Sequence, residues 1–165
     1  MLRECRLSVK QQTLPAAEHR VYLDDFTEKV GLILNQMALE TDCDWIHPLA
    51  DDDLLLPDHL ETHAAFYQDA DVVYSYCRVE GREWSPNHPF DPNTLHIPAV
   101  ASIRRSLWKR VKGWGDENRS EDLAFWRKCY EAGARFACVE RETWVYRFHG
   151  DNKSLVAGHH RFRDG

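Results

Sequence analysis

The chain has 165 residues, 43% of them hydrophobic and 29% charged, with a formal net charge of −6. That length and balance fit one globular domain with a real core and exclude a disordered chain. The acidic balance removes any strong global attraction to nucleic acid or to an anionic membrane surface, so no specific nucleic-acid binding is expected.

The chain begins with "MLRECRLSVKQQ", which carries charges where a signal peptide would place its apolar core and reads as a helix. "EHRVYLDD" reads as a short strand, Arg20 to Leu23, ending on Asp24 and Asp25. An apolar stripe at Phe26, Val30, Ile33, Leu34, Met37 and Ala38 predicts a helix, with Asp25 and Glu28 at capping-box spacing. "WIHPL" is a second apolar strand, and it too runs into carboxylates, Asp51, Asp52 and Asp53. Pro57 suits the first turn of a helix extending to about Gln68, with Asp58 and Glu61 favouring its start.

"DVVYSYCRVE" is a β-branched and aromatic strand, followed by a loop with Pro86, Pro89, Pro92 and Pro98. "AVASI" predicts a further strand and "RRSLWKRV" a short helix, whose Arg104, Arg105, Lys109, Arg110 and nearby Lys112 form a solvated basic face. Ser120 would N-cap "EDLAFWRKCYEA", which Gly133 ends, and "RFACVE" and "TWVYRFH" read as two closing strands. Strands alternating with helices imply an α/β sandwich with a mostly parallel central sheet, whose ligands bind beyond the carboxyl ends of the strands. Both carboxylate clusters fall at such ends.

Three adjacent carboxylates repel one another, and a hard divalent cation relieves that repulsion; a solvated acidic turn explains the run as well. His59 and His63 stand four apart, a metal-ligand spacing, but no H-E-x-x-H occurs and the sequence offers no third ligand, so an exposed helix face is expected there. No apolar run approaches the roughly 20 residues a bilayer-spanning helix needs. Cys5, Cys43, Cys77, Cys129 and Cys138 are odd in number and hold no C-x-x-C, which points to buried thiols and a cytoplasmic setting.

"DWIHPLADDDLLLPDHLE" resembles the metal-binding segment of family 2 glycosyltransferases, which have the GT-A nucleotide-sugar fold. "KGWGDENRSEDLAFWRKCYEAGARFACVERETWVYRFHGDNKS" is similar to that family's acceptor segment, with its Glu-Asp pair opening a helix and its closing Tyr-Arg-x-His-x-x-Asn-x-Ser. "LSVKQQTLPAAEHRVYLDD" resembles the family's first helix and second strand, so the likeness runs over most of residues 2–155.

The resemblance implies a GT-A-like, Rossmann-type α/β fold acting as a metal-dependent inverting glycosyltransferase. It would move one sugar from a nucleoside-diphosphate donor, a UDP-sugar by default, to an acceptor hydroxyl. It implies Asp122 as catalytic base, and Asp51, Asp52, Asp53 and His149 as ligands of Mn²⁺ or Mg²⁺. Asp24, Asp25, Arg147 and Lys153 would bind the donor, and Trp114 and Glu121 the acceptor. Asp51 and Asp53 fit a D-x-D jointly, with Asp52 close behind.

One GT-A-like domain is expected, with residues 1–56 as a partial nucleotide-sugar and metal half, 57–155 as the acceptor half and 156–165 as a tail. Three departures stand out. The family's usual first strand is missing, so the fold is expected to be N-terminally truncated, and a partner chain or oligomer is one way to complete the sheet. Ala50 replaces an Asp, and "DDF" replaces an Asp-Asp-Gly-Ser turn. Two other functions stay open: a degenerate transferase that only binds, and a metal-dependent phosphohydrolase built on the aspartate run.

Overall fold

The computed structural model describes residues 1–23, 29–83, 85–116 and 121–149. Five strands form one sheet in the order β1-β4-β3-β5-β2. They are β1 (Trp45–Ile46), β2 (Leu54–Leu55), β3 (Val72–Glu80), β4 (Ala101–Arg104) and β5 (Phe136–Arg147). The helices are α1 (Leu2–Lys10), α2 (Val30–Leu39), α3 (His59–Ala64), α4 (Arg105–Arg110) and α5 (Glu121–Glu131).

The parallel character expected of the sheet resides in its centre. There β3 and β5 run parallel from Val72 beside Phe136 to Glu80 beside Arg147. The short β1–β4, β3–β4 and β2–β5 pairs are antiparallel.

The strand pleat sorts the side chains onto two faces. Val72 and Tyr74 of β3, with Ala101 and Ile103 of β4, pack into the main core against Leu107 and Trp108 of α4 and Phe125, Trp126 and Cys129 of α5. Ala38 brings α2 into the same cluster. On the opposite face Val73, Ser75 and Cys77 alternate with them, and α3 covers this side. Gly31 lets α2 approach closely, since a Cβ there would come within 2.3 Å of the Gly115 carbonyl oxygen. Asn35 on α2 then accepts from Trp108 Nε1 and from the Trp114 N–H, and donates to the Trp114 carbonyl.

Several sequence expectations change. Residues 20–23 form no strand. The helix expected from Phe26 is described only over Val30–Leu39, and Phe26, the Asp25–Glu28 capping box and the Ser120 cap lie outside the described residues. Helix α3 ends at Ala64 and gives way to turns before Gln68. The two strands expected at the end are one, β5. The ladder absorbs the break expected between them as a bulge: Ser75 pairs with Val139 and the next residue, Tyr76, with Glu142. The C-terminus of α5 follows expectation, with Gly133 at φ +75°.

Candidate active site

The aspartate run lies between β1 and β2, in a turn closed by the Asp53 N–H donating to the Ala50 carbonyl at 3.3 Å. Helix α1 braces this loop. Cys5 Sγ donates to the Ala50 carbonyl, Ser8 Oγ accepts from the Leu55 N–H, and Gln12 Nε2 donates to the Leu56 carbonyl.

The turn gives the three carboxylates different surroundings. Asp51 is exposed. Asp53 is 4% exposed and accepts from the Arg147 backbone N–H at 3.2 Å. Burial, reinforced by the charge of Asp52, pushes its pKa up to about 7. Asp52 Oδ2 lies 3.2 Å from His149 Nε2. The Arg147 side chain donates to the Asp52 carbonyl and to Glu4, a carboxylate of α1.

Asp52, Asp53, Arg147 and His149 therefore meet where the end of β5 passes the aspartate turn. Within the run it is Asp52 that faces the histidine. The Asp52–His149 pair also suits an ion. An octahedral ion about 2.1 Å from its ligands holds neighbouring ligand atoms about 3 Å apart, close to the separation seen here.

Glu121 and Asp122 occupy the first turn of α5, half-buried, where the helix dipole favours negative charge. The helix is anchored below them by Phe125, Trp126 and Cys129, and Trp126 Nε1 donates to the Ile97 carbonyl. Trp114 is a correction. It is 4% exposed and stacked on Phe125 with ring centroids 4.4 Å apart, so its face is committed to the core and not open to a sugar. Its indole N–H has no partner among the described residues. Asp24, Asp25 and Lys153 lie outside the described residues.

The largest departure from expectation concerns His59 and His63. Both have 0% exposure, and a third imidazole, His47, stands beside them. His59 Nε2 is 3.2 Å from His47 Nε2. His59 Nδ1 faces both the carbonyl and the hydroxyl of Thr143, at 3.2 and 2.7 Å. His47 Nδ1 and His63 Nδ1 both reach Ser102 Oγ, at 3.1 and 3.0 Å, and His63 Nε2 reaches Ser75 Oγ at 3.1 Å.

A carbonyl only accepts, so His59 carries its proton on Nδ1. Its Nε2 then accepts from His47, and the remaining bonds complete a ring through Ser102, His63, Ser75 and the Thr143 hydroxyl. Burial keeps all three imidazoles neutral, holding His47 down to about 4 and the other two well below the usual histidine value. The legible signal was the four-residue histidine spacing. Its partners Ser75, Ser102 and Thr143 come from three different strands, which local sequence does not bring together.

No protein-family model matches the chain, and no curated protein matches it in sequence. Solved structures do match. S. aureus TarS 1-349 in complex with UDP superposes with a TM-score of 0.74 at 16% identity, over 89% of this chain and 56% of that one. The chain has the fold of the glycosyltransferase TarS. The complex of TarS 1-349 with UDP-GlcNAc gives a TM-score of 0.75 at 14% identity, over 90% of this chain and 55% of that one. Against the longer TarS structure the chain covers 34% of the length. It thus spans little more than half of the shorter TarS chains. No described helix is long and apolar enough to cross a membrane.

Proposed function

We propose that the chain carries the donor and acceptor core of a glycosyltransferase of the family 2 type, using a divalent cation and a nucleoside-diphosphate sugar with inversion. The observation that carries the reading is the meeting of Asp52, His149, Asp53 and Arg147 at one end of a sheet with the TarS fold. TarS itself has been solved with UDP and with UDP-GlcNAc, which makes a UDP-sugar the first donor to try.

Asp52 and His149 would hold Mn²⁺ or Mg²⁺, with Asp53 buried behind them as a second acid. When bound, the ion supplies positive charge against the diphosphate that departs. The Arg147 guanidinium adds to that positive charge from the other side of the turn. Asp122, at the start of α5, would accept the proton of the acceptor hydroxyl. The acceptor oxygen forms the new bond to the anomeric carbon as the carbon–oxygen bond to the diphosphate breaks, and the diphosphate leaves with that electron pair.

Thermal unfolding with UDP, GDP, dTDP and CDP, each with and without Mn²⁺, tests the reading. A ligand at about 100 times its dissociation constant raises stability by about 2.7 kcal/mol. The expected result is a shift that needs both UDP and the metal. No shift with any nucleotide and metal pair would sink it.

A further inference from the structure

We infer that His47, His59 and His63 form a second metal site, distinct from the aspartate site and built for one borderline-soft divalent ion of the Zn²⁺ class. A ligating imidazole is normally fixed by a hydrogen bond from its other ring N–H to a carbonyl, carboxylate or other acceptor. Here every Nδ1 has such an acceptor: Thr143 for His59, and Ser102 Oγ for both His47 and His63. With the three Nδ1 atoms protonated, the three Nε2 lone pairs are left for an ion.

The spacing agrees. His47 Nε2 and His59 Nε2 stand 3.2 Å apart. A tetrahedral ion with Zn–N distances of about 2.0–2.1 Å holds its nitrogens about 3.3 Å apart. One ligand atom from each of the three residues falls within 4.8 Å of the others. Ser75 Oγ lies 3.1 Å from His63 Nε2. On loading, His47 shifts its proton from Nε2 to Nδ1, and Ser75 turns its hydroxyl proton from His63 Nε2 toward the Thr143 hydroxyl. Ser102 then accepts from both histidines and turns its own proton toward Tyr67, whose hydroxyl is 3.1 Å away.

The donor chemistry separates the two sites. Three neutral imidazoles suit Zn²⁺ and its neighbours, whereas a carboxylate site suits Mg²⁺ or Mn²⁺. Of the three residues His47 is the least buried, the other two having 0% exposure. The site also has a structural consequence. The chain leaves the cluster at His47, runs through Asp51, Asp52 and Asp53 and β2, and returns at His59. An ion bridging the two histidines would close that loop at its base.

The test is metal uptake by the full chain, stripped with a chelator and titrated with Co²⁺ alone, read by visible absorption and by metal analysis. One equivalent with a tetrahedral cobalt spectrum, displaced by Zn²⁺, is expected. Asp52→Asn, which removes a ligand of the aspartate site, should keep the tetrahedral spectrum, and His63→Gln should lose it. His47→Gln, at the partly exposed rim, serves as the second variant if His63→Gln fails to fold. The proposal is overturned if the wild type takes up no stoichiometric cobalt, if His47→Gln and His63→Gln bind it unchanged, or if Asp52→Asn abolishes the spectrum. Because the readout uses no nucleotide, failure here leaves the donor site untouched, and the reverse holds too.

Discussion

Three adjacent aspartates look equivalent in sequence, yet one tight turn gives each a different environment. Asp51 faces water, Asp53 is buried against the Arg147 backbone, and Asp52 meets His149. A ligand must be both ionised and aimed at its ion, and only Asp52 has a second donor atom already at ligand spacing. Asp52→Asn should therefore remove the Mn²⁺-dependent part of UDP binding, measured by titration calorimetry, while Asp51→Asn keeps most of it. The opposite ranking would return the role to Asp51. At the start of α5 the distinction is between chemistry and binding. Asp122→Asn should keep UDP affinity but lower sugar transfer by about 10²–10⁴-fold, the usual contribution of a positioned base. Full transfer by that variant would leave Asp122 with only its part at the helix terminus.

Among elements, three strands are tied together, at the end of the sheet away from the candidate site, through Asp71. It precedes β3, pairs with Arg104 at the end of β4, and receives the backbone N–H and guanidinium of Arg135 just before β5. Burial alone would raise the Asp71 pKa, but the Arg135 and Arg104 contacts overcome it and hold the carboxyl below its ordinary value. A depressed pKa means that the folded state binds fewer protons than the unfolded chain. The stabilisation is then present above the ordinary aspartate value and is lost as pH falls through the folded value. Asp71→Asn should cost about 2 kcal/mol at pH 7. It should also shrink the loss of stability between pH 5 and pH 3 in urea titrations; an unchanged acid limb would refute the role.

These same elements show what the sequence revealed. The run "VVYSYC" announced β3, and Gly133 announced the end of α5, because both signals are local. The single strand β5 was hidden because the charged Arg141-Glu142 pair interrupts its apolar pattern, and only its pairing with β3 shows a bulge. The histidine cluster was hidden for a related reason: strand alternation puts Ser75 opposite Tyr74, but nothing local says that α3 lies over it.

At the scale of the whole molecule, the candidate site depends on α1 acting as a brace, and Gln12 is where that brace joins everything else. Its side chain is 7% exposed. Its amide nitrogen donates to the Leu56 carbonyl and, within α1, to Ser8, while its carbonyl oxygen accepts from the Leu60 N–H of α3. One side chain thus ties α1 both to the strand that follows the aspartate turn and to the helix that carries His59 and His63. Gln12→Ala would leave the Leu60 N–H without its partner, while the Leu56 carbonyl would keep only the His59 N–H. Leaving a backbone N–H unpaired costs about 1–3 kcal/mol, so the midpoint of urea unfolding should fall by an amount equivalent to about 1–3 kcal/mol. Arg6→Ala, on the exposed face of the same helix, should stay within about 0.5 kcal/mol of the wild type. If α1 positions the aspartate turn as well as stabilising it, Gln12→Ala should also weaken Mn²⁺-dependent UDP binding at temperatures where the variant remains fully folded. Equal loss of stability in the two variants would show that helix α1 packs generally and that Gln12 is no junction.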